Sequence, residues 1–169
     1  IIVFSKLDLL DNIKTINELR KYYEGIGIKV FYNNEVNDIK SFLKGKEVVI
    51  TGQTGAGKST LINNLGNLNI LTNEISKFLG RGKHTTRHVE IYDIDGISIA
   101  DTPGFSALDL NYTKEEIKAS FIEFNNSSCR FKDCMHNKEI DCEIKTKVNN
   151  KEILKSRYES YIRIISEGK

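Results

Sequence analysis

Residues 52–59 read Gly52-Gln53-Thr54-Gly55-Ala56-Gly57-Lys58-Ser59, the full phosphate-loop pattern. Such a loop constrains the fold, because it works only between a buried strand and the start of a helix. Glycines let successive backbone N–H groups turn inward around phosphate oxygens with no Cβ in the way. The helix behind them aims its partial positive end at the same group. Here Val48-Val49-Ile50-Thr51 reads as the strand, and Ser59 to Leu65 as the helix, with Leu61 and Ile62 along it. The bland alternative is a glycine-rich turn ahead of a helix. The strand–loop–helix setting is what turns the pattern into a nucleotide site. Gly52, Gln53, Thr54, Gly55, Ala56, Gly57, Lys58, Ser59 and Thr60 are then the expected nucleotide contacts. Lys58 bridges the β- and γ-phosphates, and the Ser59 hydroxyl ligates Mg²⁺.

Two further segments gain meaning from that loop. Asp101-Thr102-Pro103-Gly104 closes a strand. Alone it is a strand-ending turn; after a phosphate loop, Asp101 can hold Mg²⁺ and the Gly104 N–H can sense the γ-phosphate. Lys83-His84-Thr85-Thr86-Arg87-His88 lies between the two. A threonine there can complete the Mg²⁺ sphere only when the γ-phosphate is present, an order–disorder switch. A solvated polar loop is the usual alternative.

The rest of the chain alternates strand and helix. Ile1 to Phe4 and Ile28 to Tyr32 are β-rich. Ile13 to Tyr23 carries Ile16, Leu19 and Tyr23 at helix spacing, with Gly25 as a stop. Val36 to Leu43 reads as a short helix before Gly45, and Asn67 to His88 as a loop with one helical turn near Glu74 to Phe78. Val89 to Ile94 and Ile97 to Asp101 flank Asp95-Gly96, a two-residue hairpin signal. This order predicts an α/β fold with a parallel sheet over residues 1–110. A small, mostly helical domain over 111–169 follows, where the composition changes near Asn111. In it Thr113 to Phe124 is a helix capped by Thr113 and Glu116. Glu152 to Ser166 is another, with Leu154, Tyr158, Tyr161, Ile162 and Ile165 on one stripe.

Cys129, Cys134, His136 and Cys142 cluster between those helices. Three thiolates and one imidazole are a donor set of structural zinc. The alternatives are buried free thiols or one stray disulfide, but three cysteines cannot all pair. A metal also suits a segment too short to bury a large core alone. Arg130, Lys132, Lys138, Lys145 and Lys147 surround the cluster. They suit RNA phosphates, although Asp133, Glu139, Asp141 and Glu143 dilute the patch and a solvated charged face is the default.

Composition excludes several classes. A net charge of +2 with no block of like charges argues against a disordered electrostatic tail. No apolar run approaches the roughly eighteen residues of a membrane span. Ser5, Lys6 and Asp8 interrupt the opening apolar run, so no signal peptide is expected. Three cysteines make no disulfide framework, which points to a reducing, cytoplasmic setting. The chain opens on Ile1 without a methionine and is expected to be a fragment.

Ser5-Lys6-Leu7-Asp8-Leu9-Leu10 resembles the guanine-reading Asn-Lys-x-Asp motif. It stands before the phosphate loop, the order of circularly permuted GTPases. With the cysteine cluster behind Asp-Thr-Pro-Gly, the chain resembles the ribosome small subunit-dependent GTPase A family of the YjeQ type. The resemblance implies a GTP/GDP-binding hydrolase for late assembly or quality control of the small ribosomal subunit, stimulated by that subunit and binding its rRNA. It implies a circularly permuted GTPase domain followed by a zinc domain, with no membrane partner; a monomer is expected. Asp8 would accept from guanine N1 and N2, and the Lys6 stem would stack on the base. Ser5 replaces the usual asparagine, and Asn33-Asn34 stand roughly where a Ser-Ala element is usual. Among related GTPases the threonine directly before an arginine is the Mg²⁺ ligand, which selects Thr86 over Thr85. Phe105 stands where many GTPases carry a water-orienting glutamine, so His84 becomes the candidate for that role; contact with solvent or RNA is its alternative. The zinc cluster matches the family's C-terminal domain, and nucleotide state is expected to reposition its RNA-binding surface.

Relatives carry an N-terminal OB-fold domain, then the first strand and helix of the permuted domain. The usual strand order puts that strand between the phosphate-loop strand and Ile1 to Phe4. A gap or unusual pairing is expected there, with lower stability than in a longer chain. Two other readings are a zinc-stabilised RNA-binding module with a vestigial nucleotide site, and a phosphate-loop small-molecule kinase.

Overall fold

The computed structural model describes residues 1–9, 12–66, 90–101, 112–125 and 127–167. It divides into two compact units, Ile1–Leu108 and Asp109–Lys169. His84, Thr85, Thr86, Gly104, Phe105 and the helical turn expected near Glu74 lie outside the described residues.

In the first unit β1 (Ile2–Phe4) runs parallel to β2 (Val30–Tyr32), with Val3 opposite Phe31. Between them lies α1 (Ile13–Gly25), two residues longer than its apolar spacing predicts. The Asn12 side chain caps it by accepting from the Lys14 N–H, and Ile16 is its buried contact. The chain leaves α1 through Gly27 at φ 86°, a left-handed conformation that suits glycine. The helix α2 (Val36–Leu43) matches its expected bounds and buries Ile39 and Leu43.

Next come β3 (Glu47–Ile50), α3 (Lys58–Gly66), β4 (Glu90–Ile94) and β5 (Ile97–Asp101). β3 pairs with β5 in parallel, and β4 pairs with β5 antiparallel. Asp95 at φ 52° and Gly96 at φ 78° turn the hairpin. Both central residues are left-handed, as the Asp-Gly signal requires. Phe31, Ile39, Leu43, Ile62, Leu65, Ile94, Ile97 and Ile99 form one core. Nine residues of helix are marginal alone. Ile62 and Leu65, both fully buried, hold α3 against that core, each worth roughly 1.5–3 kcal/mol of burial. The start of α3 is therefore fixed by packing at its far end.

The strands form two hydrogen-bonded sets, β1–β2 and β3–β5–β4. Among the described residues, pairing stops between β1 and β3, where the strand-order argument expects a break. Val3 still packs on the common core. The opposite face of the three-stranded set carries the row Val49–Ala100–Ile91. Val49 and Ile91 are 63% and 73% exposed, so among the described residues this sheet is covered on one face only.

The second unit opens with α4 (Lys114–Ser120), whose capping box joins Thr113 and Glu116. The helix expected to reach Phe124 stops at Ser120, because Phe121 is extended and a 3-10 turn follows over Ile122–Phe124. The break lets Phe121 and Phe124 both point inward, with rings stacked at 5.2 Å. α5 (Glu143–Asn149) lies where the sequence pattern predicts no helix. It buries Ile144 and packs Val148 beside it, and its other five residues are charged or polar, so two apolar positions are too little pattern to read. α6 (Lys155–Glu167) starts three residues later than expected. Ile153 is spent in the core instead, behind a turn in which Lys151 adopts φ 64°. Tyr161 and Ile165 of the predicted stripe are buried, with Tyr158 and Ile162 packed beside them. Arg157 makes a two-pronged ion pair with Glu123 at 2.7 and 3.1 Å and lies over the Phe121 ring.

Candidate nucleotide site and metal centre

The loop between β3 and α3 turns through Gly55 at φ 78° and Gly57 at φ 89°. A Cβ at Gly57 would stand 3.6 Å from the Ser5 Cβ. This closeness has a bond beneath it: the Ser5 hydroxyl donates to the Ala56 carbonyl at 2.7 Å. A segment 51 residues away in sequence is thereby fastened to the phosphate loop. Lys6 takes φ 55°, and a 3-10 turn over Leu7–Leu9 follows. Lys6 and Asp8, which follow Ser5 closely, are exposed. The Asn33 N–H donates to the Phe4 carbonyl at 2.9 Å, so Asn33-Asn34 leave β2 next to Ser5.

Within the loop, Lys58 Nζ donates to the Gly52 carbonyl at 3.0 Å and the Gln53 carbonyl at 3.2 Å. The ammonium curls over the loop it springs from, held by weak neutral acceptors that a phosphate would outcompete. Ser59 is half-buried in the first turn of α3, while Gln53, Thr54 and Thr60 are exposed. Asp101 ends β5 opposite Ile50, the last residue of the strand that feeds the loop. The structure thus brings residues 5–8, 52–60 and 101 to one edge of the first unit. The bond from Ser5 to Ala56 is the feature that motif reading missed. The motif shows the two segments, and only the folded chain joins them.

In the second unit Cys129, Cys134, His136 and Cys142 converge, their donor atoms all within 4.8 Å of one another. His136 Nδ1 stands 3.5 Å from the sulfurs of Cys129 and Cys134 and 3.4 Å from that of Cys142. The sulfurs of Cys129 and Cys142 are 4.0 Å apart. Bonds of about 2.3 Å to sulfur and 2.05 Å to nitrogen make tetrahedral edges of roughly 3.8 Å (S–S) and 3.6 Å (S–N). The donor set therefore fits a four-coordinate metal ion of zinc's size. All three cysteines are free thiols. Burial pushes the Cys134 thiol up to about 12, and burial lowers His136. For Cys129 burial acts upward, but the N–H groups of Glu143 and Ile144 bring it below the ordinary thiol value. A divalent cation would supply the charge that lets three clustered thiolates, two of them buried, coexist.

Three of the five surrounding cations are occupied inside the unit. Arg130 pairs with Asp141 at 2.8 Å, Lys147 pairs with Glu143 at 2.8 Å, and Lys145 donates to the Glu139 carbonyl at 2.9 Å. Lys132 and Lys138 are exposed. Among the described residues no helix is long and apolar enough to cross a membrane.

The family model described as RsgA GTPase matches residues 1–111. A small ribosomal subunit biogenesis GTPase RsgA from Lactococcus lactis subsp. lactis (strain IL1403) is 45% identical over 184 residues, covering 98% of this chain and 59% of that protein. Its counterpart from Streptococcus mutans serotype c is 44% identical over 171 residues, covering 99% and 58%. The chain thus spans about three fifths of the length of these curated relatives. Among solved structures, YjeQ from Thermotoga maritima superposes with a TM-score of 0.75 at 33% identity, over 98% of this chain and 59% of that one. YloQ, a circularly permuted GTPase, gives 0.75 at 31% identity, over 99% and 56%.

Proposed function

Because the chain belongs to the RsgA GTPase family, we propose that it binds GTP and hydrolyses it in the service of small ribosomal subunit assembly. The observation that carries this reading is the bond from Ser5 to Ala56, which fastens the segment containing Lys6 and Asp8 to the phosphate loop. Asp8 accepts from guanine N1 and N2, and the Lys6 stem covers the base. The backbone of Gly52 to Gly57 and the N-terminus of α3 cradle the phosphates, with Thr60 near them. Lys58 leaves the Gly52 and Gln53 carbonyls for the β- and γ-phosphates. Ser59, Thr86 and Asp101 are the residues for Mg²⁺, which neutralises charge on the phosphates when bound. Gly104 senses the γ-phosphate, and His84 orients the attacking water in place of a glutamine, since Phe105 has no hydrogen-bonding side chain. The chain's own part in catalysis is positioning and charge.

The reading extends to the second unit. Cys129, Cys134, His136 and Cys142 hold one structural zinc; four protein donors leave no position open for a substrate. Lys132 and Lys138 are the cations of that loop left for rRNA phosphates. The assignment is of a GTPase domain over 1–110 and a zinc domain over 111–169, acting as a cytoplasmic monomer. Competition of GTP against ATP, followed by turnover with and without small subunits, tests the whole. GTP preference and subunit-stimulated hydrolysis are expected. Equal binding of ATP would favour a kinase, and subunit binding without turnover a vestigial site.

Two substitutions probe the base side. Asp8→Asn removes the carboxylate that accepts both guanine donors, so the preference for GTP over ATP should fall at least tenfold; an undiminished preference in competition titration would remove Asp8 as base reader. Ser5→Ala removes one hydrogen bond, worth about 1 kcal/mol. It should weaken GDP and GTP alike by roughly fivefold with the fold intact, read by fluorescent-nucleotide titration.

A further inference from the structure

We infer that α6 is part of the metal centre: the hydroxyls of Tyr158 and Tyr161 hold the backbone turn that presents His136 to the three sulfurs. The inference rests on reading Cys129, Cys134, His136 and Cys142 as a metal site. Tyr158 Oη donates to the His136 carbonyl at 2.7 Å, and Tyr161 Oη donates to the Met135 carbonyl at 2.6 Å. The two carbonyls are consecutive, and the two tyrosines are one helical turn apart, so they share a face of α6. One rigid helix thus grips two successive carbonyls of the metal loop.

The grip matters because His136 sits at φ 57°. A residue with a Cβ enters that left-handed region only against steric resistance, so the turn needs outside support. Part of it comes from Glu139, whose carboxylate accepts from the Met135 and Asn137 N–H groups at 2.9 and 2.8 Å. Those bonds satisfy donors and leave the carbonyls to α6. The left-handed turn aims His136 Nδ1 at all three sulfurs, and Phe124 meets the imidazole edge-on at 5.3 Å. Tyr161 is fully buried against Phe121 and Phe124, so core packing fixes where its hydroxyl points. Metal occupancy and docking of α6 are then two readings of one equilibrium, each favouring the other.

The test uses the full chain with Tyr158→Phe, Tyr161→Phe and the double substitution. Zinc affinity is measured by competition with a chromophoric chelator, and the ligand field by cobalt(II) absorption. Each single change should weaken zinc about tenfold, the double change more. The cobalt d–d bands of the double variant should change shape, because the imidazole is no longer held at a fixed angle. Ile165→Val trims the same helix without touching either carbonyl and should keep the parent affinity and spectrum. Parent-like zinc affinity and cobalt bands in the double variant would overturn the inference. Equal weakening by Ile165→Val would overturn it too, since helix packing would then suffice. Should Tyr161→Phe fail to fold, Tyr158→Phe decides by the same two readouts. A parent chain that takes up neither zinc nor cobalt would remove the metal reading itself, and this inference with it.

Discussion

Lys58→Ala is expected to abolish tight triphosphate binding, with GTP affinity falling at least a hundredfold. The ammonium is the one side-chain charge built into the loop, and its present acceptors are two backbone carbonyls. Alanine leaves the triphosphate facing backbone donors alone. α3 should survive, because Ile62 and Leu65 anchor it from the far end and alanine favours helix. The metal centre belongs to another compact unit and should keep its metal. Isothermal titration with GTP, beside zinc analysis of the same sample, reads both outcomes. Unchanged GTP affinity would remove residues 52–59 from the nucleotide site.

Removing the metal should unfold the second unit. Zinc held by such a donor set contributes on the order of 10 kcal/mol, comparable to the whole stability of a small domain. Cys134 and Cys142 are themselves members of the core with Ile117, Phe121, Phe124 and Tyr161. Losing the ion frees two thiols inside that core and a third, Cys129, packed against it. Purified chain should carry about one zinc, and a strong chelator should release it with loss of the helical signal from α4 to α6. Protein purified without chelator but free of zinc, or unchanged helicity after complete removal, would count against the site.

Much of this was legible in the chain itself. The phosphate loop, the Asp-Gly hairpin and α2 emerge where their residues put them, because each is a local pattern with a local cause. Thr113 and Glu116 likewise announce the start of α4. What sequence hides is what depends on distant partners. α4 stops early because Phe121 and Phe124 both find the same core, which no local rule encodes. α5 carries one buried isoleucine and one half-buried valine among polar and charged residues, a weak signal. Ile153 reads as helix and is used as core. In the candidate sites, ligands and loop glycines are visible as residue types at spacings. The bond from Ser5 to Ala56 and the grip of Tyr158 and Tyr161 on residues 135 and 136 exist only after folding. Arg130, Lys145 and Lys147 read as free cations until their partners Asp141, Glu139 and Glu143 come into view.

The fastening of Ser5 to Ala56 also bears on how the first unit resists opening. A nucleotide seated as proposed touches both ends of a 51-residue stretch, so it acts as a removable cross-link across that stretch. Like a covalent staple, it disfavours every state in which the ends drift apart. Unlike one, its strength is set by concentration: at a hundredfold excess over Kd it adds about 2.7 kcal/mol. Backbone amides of β1 and α3, far apart in the chain, should therefore slow their hydrogen exchange together when nucleotide is added, and by the same factor.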